Sequence, residues 1–276
     1  MIEIGKIHTL EIVKCVDFGL YLDGNDAGEI LLPNRYIPEN WNIGDFIDVF
    51  IYLDHDERLI ATTQKPLAQV GDFACLKVVS VDKIGAFVDW GLMKQLLVPF
   101  REQKKVLKEG DTPVVYVYVD EKSHRIAASA KVDKFIDKNT PDSLVGEEVE
   151  LLIYRKTDLG YSAIINNQYS GLLYINEVFQ PIYIGLKTNG YIKQIREDGK
   201  IDLSLTKPGI EKIDGFEKII YHKLEQAKGF LPFSDKSEAS NIYDKFEMSK
   251  KNFKKAIGSL YKKRLIDIEQ AGIRLL

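Results

Sequence analysis

The stretch DKIGAFVDWGLMKQLLVPF, Asp82 to Phe100, decides the fold. A short apolar run is interrupted by Gly85, an aromatic follows at Phe87, and the run closes on Pro99-Phe100. A glycine inside a strand predicts a bulge or a sharp bend. The chain repeats this arrangement. Gly5, Gly71 and Gly146 each open a copy, a second glycine stands fourteen residues on (Gly19, Gly85, Gly160), and a third stands thirty-nine on (Gly44, Gly110, Gly185). No gap is needed across that span. The apolar columns keep the same register: Leu10, Leu76 and Leu151; Ile12, Val78 and Ile153; Leu22, Val88 and Ala163; then Leu31-Leu32, Leu97-Val98 and Leu172-Leu173. The last column, Leu59, Ile126 and Ile201, comes one residue earlier in the first copy.

Period-two alternation in short runs bounded by Gly, Asp and Asn reads as β-strands. Each copy offers five strands, enough for a small closed barrel that removes its own edges. Three tandem barrels are therefore expected over residues 1–66, 67–140 and 141–210, with a fourth domain over 211–276. Pro66 and KNTPDS (Lys138–Ser143) mark the joints, and KVDKFIDK (Lys131–Lys138) reads as a short helix.

A bulge at the central glycine shifts the in–out alternation by one. Phe18 and Tyr21 then share the outer face of the first copy, with Leu20 and Leu22 inward, and Phe87 points outward in the second. An exposed ring on a small barrel is a stacking surface for an unpaired base, at ~1–3 kcal/mol per base. Aromatics also fill β cores, and both readings stand at Phe87. The third copy departs, with Leu159 and Ser162 in place of Phe18 and Tyr21, and Tyr161 in a nominally inward slot.

Residues 211–276 change character. GFEKIIYHKLEQAKGFLPF carries apolar residues at helical spacing, SDKSEASNIYDKFEM gives a shorter helix, and SKKNFKKAIGSLYKKRL a third. Ser249 is placed as its N-cap. Phe253, Ala256, Ile257, Leu260 and Tyr261 form its apolar stripe, and Lys250, Lys251, Lys254, Lys255, Lys262 and Lys263 crowd the rest. LIDIEQAGIRLL reads as a hairpin turning near Ala271-Gly272. Three helices and a hairpin resemble a winged helix, whose third helix would enter a major groove. A lysine face either contacts phosphates or only solvates the helix. The overall class is mostly β with a small α/β C-terminal domain.

The formal net charge of −3 conceals an uneven distribution. Lys+Arg against Asp+Glu runs 5 against 12 over residues 1–66, 12 against 10 over 67–140, 7 against 9 over 141–210, and 14 against 10 over 211–276. Any nucleic-acid surface must be local, and the acidic first copy suits a protein partner better than a phosphate backbone. Cys15 and Cys75 lie in apolar runs without a CxxC pair and are expected as buried free thiols of a reducing compartment. The four histidines are scattered, with no zinc spacing. DGNDAG (Asp23–Gly28) is a tight loop and not a phosphate-binding loop. Asp54, Asp56 and Glu57 are expected to turn the chain. No apolar run reaches the ~20 residues of a membrane span and the start is unlike a signal peptide, so the expected location is cytoplasmic. No cofactor, metal or catalytic residue is expected.

The order Gly, strand, Gly-Ala-Phe-Val-Asp, loop, Leu-Val-Pro, turn, Gly-Asp, strand, Arg-Ile-Ala-Ala-Ser resembles the S1 RNA-binding domain, an OB-fold barrel, as does SGLLYINEV in the third copy. In that family the aromatics flanking the central glycine and a histidine on the next strand contact RNA. By position these become Phe18, Tyr21 and Pro33; Ile84, Phe87 and Pro99; and Leu159, Ser162 and Tyr174. Proline replaces the usual histidine in the first two copies, with Arg35, Phe100 or Arg101 as substitutes. Three such barrels and a winged helix resemble the conserved virulence factor B family. Its most specific stretches are IGAFVDWGLMKQLLVPFREQ, VYVYVDEKSHRIAASAKVDKF and DKSEASNIYDKFEMSKKNFKKAIGSLYKKRLI. That resemblance implies binding of single-stranded RNA, a role in regulating gene expression and no catalysis. A protein-interaction scaffold on RNA or ribosome machinery, duplex DNA binding through the winged helix, and a nuclease are the other readings. The last has no acidic metal-ligand cluster behind it.

Overall fold

The structure, a computed structural model, describes residues 1–138, 144–175, 178, 181–205 and 215–276. The joint at 139–143 and the boundary near 210 lie outside the described residues. The chain divides into two compact units, Met1–Leu203 and Ser204–Leu276.

The first copy holds β1 (Ile7–Val16), β2 (Gly19–Asp23), β3 (Glu29–Pro33), β4 (Phe46–Leu53) and β5 (Leu59–Thr62), closed in the order β1-β2-β3-β5-β4. Leu10, Ile12, Leu20, Leu22, Ile30, Leu32, Val49, Ile51 and Ala61 fill it. The second copy holds β6 (Phe73–Cys75), β7 (Lys77–Asp82), β8 (Gly85–Asp89), β9 (Leu96–Pro99), β10 (Val114–Val119) and β11 (Ile126–Ser129). The third holds β12 (Glu148–Lys156), β13 (Gly160–Ile165), β14 (Tyr169–Tyr174), β15 (Lys187–Ile195) and β16 (Ile201–Ser204), closed as β12-β13-β14-β16-β15.

The second copy corrects the expectation of three closed barrels. It consists of two three-stranded sheets, β7-β8-β9 and β11-β10-β6, around one core that includes Val78, Val88, Val98, Val115 and Val117. Its first strand breaks at Leu76. In the first copy Leu10 pairs with Ile47, and in the third Leu151 pairs with Thr188. The corresponding partner in the second is Pro113, whose carbonyl accepts from the Leu76 amide at 3.1 Å. Proline has no N–H to return, so the ladder splits there into β6 and β7.

Other expectations shift for local reasons. The helix expected over Lys131–Lys138 is a single 3-10 turn, Val132–Lys134. A stretch that short does not sustain an α-helix alone, and Phe135 instead stacks on Tyr116 at 4.1 Å. Cys15 is exposed and Cys75 half-buried. A register shift between Ile12 and Lys14 precedes Cys15 and turns it away from the core.

The copies dock directly on one another. Phe50 of β4 meets Trp90 edge-on at 5.5 Å, and the Val70 amide donates to the Gly5 carbonyl. Between the second and third copies, Phe73, Val114 and Val132 pack with Leu152 and Ile164. The Asn167 side chain accepts from the Phe73 amide at 2.8 Å and donates to the Gly71 carbonyl at 3.0 Å.

In the second unit, α1 (Phe216–Gln226), β17 (Phe230–Leu231), α2 (Ala239–Phe246), α3 (Lys250–Lys262), β18 (Ile266–Ile268) and β19 (Ile273–Leu275) form three helices and a sheet in the order β17-β19-β18. Ile220, Leu224, Ile242, Phe246, Phe253 and Leu260 build its core. Among the described residues, no helix is long and apolar enough to cross a membrane.

Candidate nucleic-acid interface

The central glycine of each copy opens its strand and does not interrupt it. Gly19 faces Pro33, Gly85 faces Pro99 and Gly160 faces Tyr174. A Cβ at Gly19, Gly85 or Gly160 would lie 2.3, 2.3 or 2.0 Å from the carbonyl oxygen of Leu32, Val98 or Leu173. Glycine is there because two backbones touch. The expected bulge exists in every copy, but on the strand before: between Ile12 and Lys14, between Val78 and Ser80, and between Ile153 and Arg155. The in–out assignment is as expected in the first two copies. Leu20, Leu22, Ala86 and Val88 are sealed, while Tyr21 and Phe87 are half-buried.

Each glycine is preceded by an apolar residue at a hairpin tip. Phe18, Ile84 and Leu159 are 57, 58 and 63% exposed, so the three tips are equivalent in presentation although only one is aromatic. Their carbonyls accept from the amides of Asn34, Phe100 and Ile175, which joins each tip to the end of the third strand. In the first copy Phe18 meets Tyr21 edge-on at 6.3 Å and the Lys14 ammonium lies 5.3 Å from the Tyr21 ring centre. Arg35 lies over Tyr36 at 4.7 Å and donates to the Met93 sulfur of the second copy. In the third copy Ser162 is buried, and Tyr161, assigned inward, is only half-buried with Lys156 5.8 Å from its ring centre. Tyr174 bonds the Arg196 guanidinium, which is itself anchored on the buried Asp202 at 2.8 Å.

The second copy gathers its residues around a cleft of about 470 Å³. Ile84, Phe87, Pro99 and Arg101 all line it. Phe100, 42% exposed, is not among its walls. Arg101 pairs with Asp120, whose carboxyl is held below its ordinary value by the Ser123 amide and hydroxyl and by Arg101. Sequence reasoning missed Lys94, Gln95, Arg125 and the first copy's Tyr52, all of which line the same cleft. Burial and the neighbouring Arg125 push the Lys94 ammonium below its usual value. Burial, then the adjacent Tyr36, raises the Tyr52 hydroxyl to about 12, so it stays a neutral donor. The glycine register could have flagged Arg125, one residue before the Ile126 column. Nothing in the sequence signals Tyr52, because it arrives from another copy.

In the second unit the Ser249 hydroxyl accepts from the Asn252 amide at 3.2 Å and caps α3. Phe253, Ala256, Ile257 and Leu260 are buried as expected, but Tyr261 is 53% exposed. Eight residues beyond Phe253 it has rotated about 80° from that residue, to the edge of the stripe. Lys251, Lys254, Lys255 and Lys262 are exposed and Lys250 is half-buried. Lys254 pairs with Asp235 at 3.6 Å, and Lys263 with Glu217. In the hairpin, Arg274 is held by Glu269 at 2.7 Å and covers Phe230. Among the described residues the one carboxylate–histidine group of metal-ligand spacing is Asp54, His55 and Asp56. Arg58 pairs with both of its aspartates, at 2.8 and 2.9 Å.

The chain matches the family described as S1 domain over residues 4–64 and 70–131, and the family described as CvfB-like winged helix domain over 218–275. It is 31% identical over 268 residues to the Bacillus subtilis protein YitL, covering 94% of this chain and 89% of that one. It is 28% identical over 281 residues to conserved virulence factor B of Staphylococcus epidermidis, covering 99% and 94%. A Streptococcus pneumoniae crystal structure described as a multidomain protein with nucleic acid binding domains is 24% identical, covering 99% of this chain and 98% of that one, with a TM-score of 0.45.

Proposed function

The chain belongs to the conserved virulence factor B family, and from that premise we propose that it is a non-catalytic protein that binds single-stranded RNA and regulates gene expression after transcription. The observation that carries this reading is the second copy's cleft. There a half-buried ring, Phe87, and the apolar Ile84 and Pro99 share one wall system with the cations Arg101, Lys94 and Arg125. Flat apolar surface beside positive charge suits an unpaired base and its phosphate. Phe18 and Tyr21 with Lys14, and Tyr161 and Tyr174 with Lys156 and Arg196, repeat the pairing of ring and cation in the other copies.

Fluorescence anisotropy of a labelled single-stranded RNA tests the proposal. Phe87→Ala should weaken binding by ~1–3 kcal/mol, the worth of one stacked base, while the melting temperature stays close to wild type. An affinity unmoved by both Phe87→Ala and Tyr21→Ala would remove stacking from the mechanism. Duplex DNA is the second reading, favoured by the lysine face of α3. Lysine is a point charge suited to phosphates more than to base edges. Competition of duplex DNA against single-stranded RNA separates the two. A protein partner on the acidic first copy would show as pull-down partners that persist after RNase treatment.

A further inference from the structure

The two cations that sequence reasoning missed in the cleft share a peculiarity: each is held by the neighbouring copy. Lys94 Nζ donates to the carbonyl of Leu53 at 3.2 Å. Arg125 Nη2 meets the Glu57 carboxylate at 3.2 Å. Leu53 and Glu57 belong to the end of β4 and the loop after it, in the first copy, and Tyr52 and Leu53 are also walls of the cleft. The cleft is therefore built by two copies.

We propose that this junction is a phosphate seat, in which Lys94 and Arg125 exchange the Leu53 carbonyl and the Glu57 carboxylate for a phosphodiester of the strand lying on Phe87. The inference rests on the single-stranded RNA reading and adds to it a second copy's worth of residues. Three features support it. Both side chains are exposed, so a phosphate can reach them. Their present partners are single contacts: one of three ammonium donors and one end of a guanidinium fork are used, leaving donors for a bidentate oxyanion. Burial, then repulsion from the neighbouring Arg125, depresses the Lys94 ammonium, and a bound anion would relieve that repulsion. On this view the acidic first copy also serves the second copy's cleft. It supplies the carboxylate that RNA must displace, and so discriminates against ligands too weakly charged to do so.

The test uses the full chain, a labelled single-stranded RNA and three variants, Lys94→Gln, Arg125→Gln and Glu57→Gln. The first two should each weaken binding on the order of tenfold, the scale of one charge-assisted hydrogen bond. The double variant should flatten the slope of log affinity against log salt by about 0.7, as for one lost phosphate contact on a single strand. Glu57→Gln should tighten binding, because it frees Arg125 without touching the cleft's cations. If Glu57→Gln weakens binding as Arg125→Gln does, the pair only braces the junction and the seat is wrong. If the Lys94 and Arg125 variants bind as wild type while Phe87→Ala does not, the seat fails and the RNA reading stands. Absence of RNA binding by the wild-type chain would remove both.

Discussion

One hydrogen atom at position 85 sets the geometry of the second copy's cleft. A methyl group there would sit 2.3 Å from the Val98 carbonyl oxygen, and the backbone at φ +157° is one that side-chain-bearing residues avoid. The close approach it permits ties the Ile84 tip to Phe100 and places Pro99 and Phe87 on one surface. Gly85→Ala should therefore destabilise the fold by about 1–3 kcal/mol, the usual cost of a strained backbone position, and lower RNA affinity as well. Urea unfolding followed by tryptophan fluorescence reads the first effect through Trp90, which lies in the same core. An unchanged midpoint would mean the two strands can separate without cost. The residue scale also shows how a correct outward assignment can rest on a displaced cause. Tyr21 and Phe87 face out because alternation begins afresh at the glycine, whereas the bulge lies one strand earlier.

The same substitution changes sign in α3. Gly258 sits mid-helix with open space where a Cβ would be. Glycine costs a helix interior roughly 0.8–1.0 kcal/mol relative to alanine, so Gly258→Ala should stabilise the second unit by about that amount in a thermal melt. It also lies among the lysines of α3. If duplex DNA uses this face, the added methyl should reduce DNA affinity while raising stability. If only the melt responds, the face is a solvated one. Elements of this kind were legible in the sequence. Helix stripes, the Ser249 cap and the strand columns follow from spacing that local sterics and burial enforce. Two signals were present but under-read: Pro113 in the column of Ile47 breaks a ladder, and Tyr261 lies at the edge of its stripe. The split first strand, the single turn at Val132 and the walls of the cleft depend on partners far along the chain, which periodicity does not encode.

Within Met1–Leu203 the consequence of those long-range partners is a docked array of copies. Copies on flexible linkers gain affinity through effective concentration, limited by the linker's freedom. Docked copies have lost that freedom on folding, so a strand bound to one copy finds the next already placed. Asn167 tests this. Its side chain satisfies the Phe73 amide and the Gly71 carbonyl across the second junction, and its backbone at φ 58° is one that asparagine tolerates better than alanine. Asn167→Ala should cost about 1–3 kcal/mol through the polar groups left unpaired, seen as a lower melting temperature. Neither Phe87 nor Lys94 is touched, so an oligonucleotide short enough for the cleft alone should bind as to wild type. A long single strand that reaches the third copy should bind more weakly, because its second contact must again be found by diffusion. Equal losses for both lengths would show that the change spreads into the cleft. No loss for either would show that each copy acts alone, whatever the junction contributes to folding.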